Sequence, residues 1–223
     1  MKILALDTSG THCSAVLYQD GRIARRCAAA PRRHGELILA MMDALLAEAG
    51  LPLTALDALA YGHGPGAFTG LRIAAAVTQG AAFGADLPVV GVSTLAALAH
   101  GAWRHYGAQR VLAAFDARIG EIYWGAFEIV AAGQARALGP EAVGPAATVV
   151  GPPGGVDWGV GDGWERDRAL LTARTGLTDA CIDATLTVAA HDVALLAVTA
   201  LQDGAARPPE QALPVYLRER VVG

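Results

Sequence analysis

Apolar and polar positions recur with two different periods along the first hundred residues, and each change of period marks an element. Lys2 to Leu6, Cys13 to Tyr18 and Arg22 to Ala28 are short apolar-rich runs, the last two joined by Asp20-Gly21. They predict three antiparallel strands in a meander, with a hairpin at Asp-Gly. From His34 to Ala49 the period lengthens to that of a helix, closed by Gly50. A strand over Leu56 to Tyr61 follows, then the stretch GHGPGAFTGLR (Gly62 to Arg72). Next come a helix over Thr69 to Gly84, with Thr69 as its cap, and a strand over Leu87 to Val92. This alternation after the meander predicts parallel pairing. Ser93 reads as the N-cap of the next helix, STLAALAHGAW.

The second half echoes the first. LALDTSGTHCSAVLY, from Leu4, and AAFDARIGEIYWGAF, from Ala113, share one layout: an apolar strand ending in aspartate, a glycine-containing turn, and a second apolar strand. Asp7 and Asp116 hold equivalent places in it. Aspartate often ends strands, so the echo alone leaves coincidence open beside duplication. After Phe127 the chain is rich in Ala, Gly and Pro, which predicts loops around one short strand near Ala147 to Val150. A helix over Val188 to Gln202 and the tail RPPEQALPVYLRERVVG end the chain. Trp103, Trp124, Trp158 and Trp164 read as packing residues of this half.

The two helices flanking the glycine stretch carry more apolar surface than one core contact uses. On the first, Leu37, Ile38, Leu39, Met41, Met42, Leu45 and Leu46 sweep an arc of roughly 200°, about twice the usual stripe. The second is apolar around most of its circumference, with Arg72 and Gln79 on one line and many Ala and Gly residues. Either both are interior helices of one large core, or they leave an apolar patch for partner helices, with the methionines as adaptable surface.

Composition removes several chemistries. Of 223 residues, 53% are hydrophobic, enough for a sizeable core. The only lysine is Lys2, so neither a Walker A lysine nor a Schiff-base lysine is available. Gly62-His63-Gly64-Pro65-Gly66-Ala67 matches a dinucleotide fingerprint on paper. However, Pro65 removes an N–H, and Ser93 stands where a ribose-binding acid belongs. What remains is a turn that launches a helix. No HxxxH or HExxH pair occurs, and Cys13, Cys27 and Cys181 form no CxxC, so no metal site or disulfide framework is indicated. His12 and His34 flank polar turns and read as solvated or capping groups. A formal charge of −4 argues against unaided grip on nucleic acid. With no uniformly apolar stretch of membrane-spanning length and no leader-like start, the expectation is a cytoplasmic protein without a membrane partner.

The segments ILALDTSGTHCSAVLYQDG, RRHGELILAMMDALLAEAGL, LDALAYGHGPGAFTGLRIAAAVTQGAAFGADLPVVGVSTLAALA and VLAAFDARIGEIYWGAF, with the terminal PVYLRERV, closely resemble the bacterial TsaB family, also called YeaZ. The likeness spans nearly the whole chain and is weakest over Ala131 to Asp157. It implies an α/β fold of the actin, hexokinase and Hsp70 (ASKHA) type, with two ribonuclease H-like subdomains over 1–105 and 106–223, the second reduced. It further implies a noncatalytic partner of a TsaD-like transferase, which places threonylcarbamoyl on adenosine 37, beside the anticodon of ANN-decoding tRNAs. A TsaE-like ATPase joins them, ATP and metal being expected on the partners and tRNA only through the complex. In the family the two helices form the interface with TsaD and support a homodimer. Carried over, that interface is Leu37, Ile38, Met41, Met42, Leu45, Leu71, Arg72, Ala75, Thr78, Gln79 and Ala82. Asp7, Thr8, Ser9 and Asp116 mark a candidate vestigial nucleotide cleft, and no catalytic residue is implied. An ATP-dependent phosphotransferase using Asp7 and Asp116, and a glycoprotease-like metallopeptidase, are the alternatives. Two departures from the family pattern, Ala67 for serine in GPGSFTG and Gly35 for serine after the first helix's histidine, each remove a hydroxyl.

Overall fold

A computed structural model describes residues 1–29 and 33–218. It divides into two compact units, 1–94 with 188–215, and 95–187 with 216–218, taken over the described residues.

The first unit opens with the meander β1 (Lys2–Asp7), β2 (His12–Gln19) and β3 (Arg22–Ala29). Its second turn is Asp20-Gly21, where both residues have positive φ (48° and 87°), the hairpin geometry expected of Asp-Gly. Helix α1 (His34–Ala49) ends at Gly50 in the left-handed region. Then come β4 (Ala58–Gly64), α2 (Phe68–Ala85) and β5 (Val89–Ser93). The sheet order is β3-β2-β1-β4-β5, antiparallel across the meander and parallel from β1 to β5. Alternation along the strands sends Leu4, Leu6, Cys13, Ala15, Leu17, Leu59 and Tyr61 to one core, closed by α1 and α2.

The second unit begins in α3 (Thr94–Tyr106), directly after Ser93. It continues through β6 (Arg110–Arg118), β7 (Glu121–Ile129), β8 (Ala135–Ala137), β9 (Ala142–Gly144), β10 (Trp158–Val160), α4 (Gly163–Thr175) and β11 (Ile182–Asp183). The order β8-β7-β6-β10-β11 repeats the first sheet's pairing, antiparallel then parallel, and β9 also pairs with β7. Both units thus carry the ribonuclease H-like layout. The second is reduced, since β10 and β11 have three and two residues where β4 and β5 have seven and five. Trp164 fills its core, its indole N–H donating to the Leu112 carbonyl at 3.2 Å. Gly159 makes room for that ring, since a Cβ there would lie 2.4 Å from it.

Three expectations change. Residues 147–150 hold no strand; a 3-10 turn over Ala146–Thr148 buries Ala146 and Val149 instead. Helix α2 starts at Phe68 with Ala67 as an uncapped N-cap, so Thr69 lies inside the first turn and is not the cap. The helices after each sheet are exchanged: α3 joins the second unit, whereas α5 (Ala190–Gln202) and the tail to Val215 join the first, unlike the split at 105/106. Helix α5 packs across β1, β2, β4 and β5, and the Ala190 N–H donates to Ser14 Oγ at 2.9 Å. Sequence alone cannot say which sheet an apolar helix covers. Residues 219–223, which include the last three of PVYLRERV, lie outside the described residues.

Candidate functional site

The glycine stretch is closed by the chain itself. After β4, Gly64 takes φ 122°, and the Gly64–Pro65 bond is cis. The Thr94 hydroxyl donates to the Pro65 carbonyl, and the Ala67 N–H donates to the Ser9 carbonyl at 2.8 Å. The Thr8 hydroxyl donates to the Gly70 carbonyl at 2.7 Å. A Cβ at Gly70 would stand 1.9 Å from the Thr8 carbonyl oxygen, one at Gly66 2.9 Å from that of Ser9, and one at Gly62 2.2 Å from Asp7 Oδ2. Gly66 and Gly70 therefore permit backbone to lie on backbone, and Gly62 leaves room for the Asp7 carboxylate. The Ala67 N–H, which a phosphate cradle would use, is spent on the Ser9 carbonyl, and that of Leu71 makes the first intrahelical bond to Ala67.

Asp7, Thr8 and Ser9 are no more than 5% exposed. Asp7 Oδ1 accepts from the Ser9 N–H at 3.2 Å and the Ser9 hydroxyl at 3.0 Å, while Oδ2 is buried without a partner. Burial pushes the Asp7 carboxyl up to about 6, against the opposing pull of the Ser9 bonds. The same burial, aided by Asp7's field, raises the Cys13 thiol to about 11. A turn so sealed does not fit a magnesium–phosphate group, because none of its oxygens faces an opening. Asp116, in the second unit, is arranged otherwise: it accepts from the Arg118 N–H and guanidinium, each at 2.9 Å, and from Arg166 at 3.4 Å. Among the described residues, no three His, Cys, Asp or Glu side chains gather in a metal-ligating group.

The eleven interface candidates separate by burial. Ile38, Met42, Leu45, Leu71, Ala75, Thr78 and Ala82 are core side chains and not surface ones. The broad apolar arcs serve the shared α1–α2–sheet core, which is why periodicity overstated the free face. Leu37 and Met41 are half-buried at its rim beside Ile73 and Val77. Gln79 donates to the Pro209 carbonyl at 3.4 Å, holding the tail, and Arg72 is exposed with its guanidinium 3.8 Å from the Phe68 ring centre. The outward face of α2 is Phe68 (48% exposed), Arg72, Ala76, Gly80 and Phe83 (79%), with Leu39 (51%) on α1. Phe68, Ala76, Gly80 and Phe83 were missed because α2 looks apolar on every side. The signal lay in their i, i+4, i+8 spacing from Arg72, the one charge on the helix. The tail is a further positioning element: the Val215 N–H donates to the His63 carbonyl at 2.7 Å, and the Tyr61 hydroxyl donates to the Leu213 carbonyl at 3.0 Å.

Comparison with known proteins converges on one family. Residues 27–202 match the family model described as TsaD, tRNA N6-adenosine threonylcarbamoyltransferase. The chain is 41% identical over 233 residues to the tRNA threonylcarbamoyladenosine biosynthesis protein TsaB of Escherichia coli (strain K12), covering 99% of this chain and 96% of that protein. It is 48% identical over 124 residues to the Haemophilus influenzae protein of the same name, covering 56% and 52%. Among solved structures, YeaZ from Pseudomonas aeruginosa superimposes with a TM-score of 0.89 at 43% identity, covering 97% of this chain and 99% of that one. A second Pseudomonas aeruginosa crystal structure, described as an uncharacterized protein with similarity to peptidase YEAZ, gives 0.89 at 45% identity and the same coverage.

Proposed function

The chain belongs to the TsaB family, and from that premise we propose that it serves tRNA threonylcarbamoyladenosine biosynthesis as a noncatalytic partner of a TsaD-like transferase, acting with a TsaE-like ATPase. The observation that carries this reading is the contrast within one unit. The turn that would do chemistry is sealed, while α2 presents an outward ridge of Phe68, Ala76, Gly80 and Phe83. Small residues between two phenylalanines let another helix approach closely, with the aromatics as anchors. Leu37 and Met41 of α1, half-buried at the rim of the core, add further partly open apolar surface. In this reading nucleotide and metal reside on the partners, and the same ridge supports a homodimer when the chain is alone. The absence of any HxxxH pair from the sequence supports a helper and not a peptidase.

The test is mixing. With its TsaD counterpart at micromolar concentration, the purified chain gives a heterocomplex by light scattering; two species that remain separate overturn the proposal. Calorimetric titration of the chain alone with Mg-ATP gives no heat under this reading, and a saturable signal favours the phosphotransferase alternative.

A further inference from the structure

From Arg22 to Arg33 the chain carries five arginines and no acidic residue, in a protein with 17 basic side chains and a formal net charge of −4. Structure concentrates the first three on β3, the outer strand of the first sheet, whose only partner among the described residues is β2. Arg22 and Arg25 are exposed and, within that set, have no anionic partner. Nearby acids are occupied elsewhere: Asp20 by the chain's N-terminus, Glu48 by Arg26, and Glu36 by Arg33 at 2.9 Å. Charge on an edge strand also blocks strand-to-strand aggregation. Edge protection is met equally by mixed signs, however, and does not account for a run of one sign.

We propose that this β3 edge is a contact for the sugar–phosphate backbone of RNA, with Arg22 and Arg25 as the free cations and Arg26 and Arg33 able to exchange a carboxylate for a phosphate. The proposal rests on the tRNA role inferred above. Phosphate fits better than an acidic peptide because Ala24, Ala28 and Ala29 on this strand offer no pockets to select side chains. Arg22 and Arg25, three residues apart, stand about 10 Å apart along the strand and project from its opposite faces, so a backbone lying along this edge meets them at separate phosphates. Arg26 ties this edge to the C-terminal end of α1 through Glu48. Two unpaired cations give weak, salt-sensitive binding, in keeping with a chain that meets tRNA only within a complex.

The test uses the full chain mixed with its TsaD counterpart and a fluorescein-labelled, unmodified ANN-decoding tRNA, read by anisotropy between about 50 and 300 mM KCl. R22E/R25E is expected to weaken binding about tenfold or more and to make the slope of log affinity against log salt shallower by about 1.5. R22Q/R25Q gives a smaller change of the same sign, and R136E/R168E, on the second unit, leaves affinity within about twofold. Unchanged affinity in R22E/R25E, an equal loss in R136E/R168E, or displacement of tRNA by poly-glutamate at equal charge overturns the proposal. Light scattering on the same mixtures separates the two claims: loss of RNA affinity with the heterocomplex intact supports this contact, and a wild-type chain that forms no heterocomplex removes the functional reading beneath it.

Discussion

The two strand–turn–strand hairpins, around Asp7 and around Asp116, share a sequence layout and differ in almost everything physical. At Asp7 the turn is covered by α2, two glycines let backbone touch backbone, a third makes room for the carboxylate, and the carboxyl is buried with one oxygen unpartnered. At Asp116 the turn bulges, passes through left-handed Arg118, Ile119 and Gly120, and leaves the aspartate among arginines at the surface. One copy has turned its acid into a packing problem and the other into an ordinary ion pair. The sealing of the Asp7 turn is why the function proposed above moves to the helices.

Substitutions that exchange the character of the two turns sharpen this contrast. The largest effect is expected from Gly70→Ala, whose Cβ would stand 1.9 Å from the Thr8 carbonyl oxygen. That backbone cannot yield without detaching α2, and a loss of ~3 kcal/mol or more is expected by urea unfolding. In the Asp116 turn, by contrast, Gly120→Ala meets open space and carries only the penalty of its positive φ, 79°, about 1 kcal/mol.

Next comes Asp7→Asn. Because the folded state raises the Asp7 carboxyl from 3.8 to about 6, the folded chain binds the extra proton within that window. Its stabilising share is therefore complete below about pH 3.8 and lost as pH rises through 6. Asp7→Asn, which keeps an acceptor for Ser9, should be more stable than wild type at pH 7 by on the order of 3 kcal/mol, with the advantage gone at pH 3.5. Equal stability of the two chains at both pH values contradicts the buried-acid account. The smallest effect is Asp116→Asn, expected to lose less than about 1 kcal/mol, since its ion pairs are part-exposed.

Much of this was legible in the sequence, and the reasons are particular. Asp20-Gly21 announced its own turn geometry, Gly50 ended α1 where expected, and the Asp7/Asp116 echo anticipated two sheets of one strand order. Local signals failed where a tertiary partner decides. The core positions Ile38, Leu45 and Thr78 could not be told from surface ones on helices apolar all round, because burial depends on where the sheet lies. Thr69 has the right chemistry for a cap, but Ala67 starts α2 by handing its N–H to Ser9. The tail's role, bracing His63 and Tyr61, involves partners about 150 residues away and has no local signature.

The most direct measurement is the affinity of the chain for its TsaD counterpart after Ala76→Glu, set beside Leu45→Glu. Ala76 lies on the outward face of α2 and Leu45 is fully buried in the core. Ala76→Glu is expected to fold with unchanged melting temperature and to bind its partner about 100-fold more weakly, whereas Leu45→Glu unfolds. An Ala76→Glu chain that binds the transferase as tightly as wild type would contradict the claim that the α2 ridge is where this protein works.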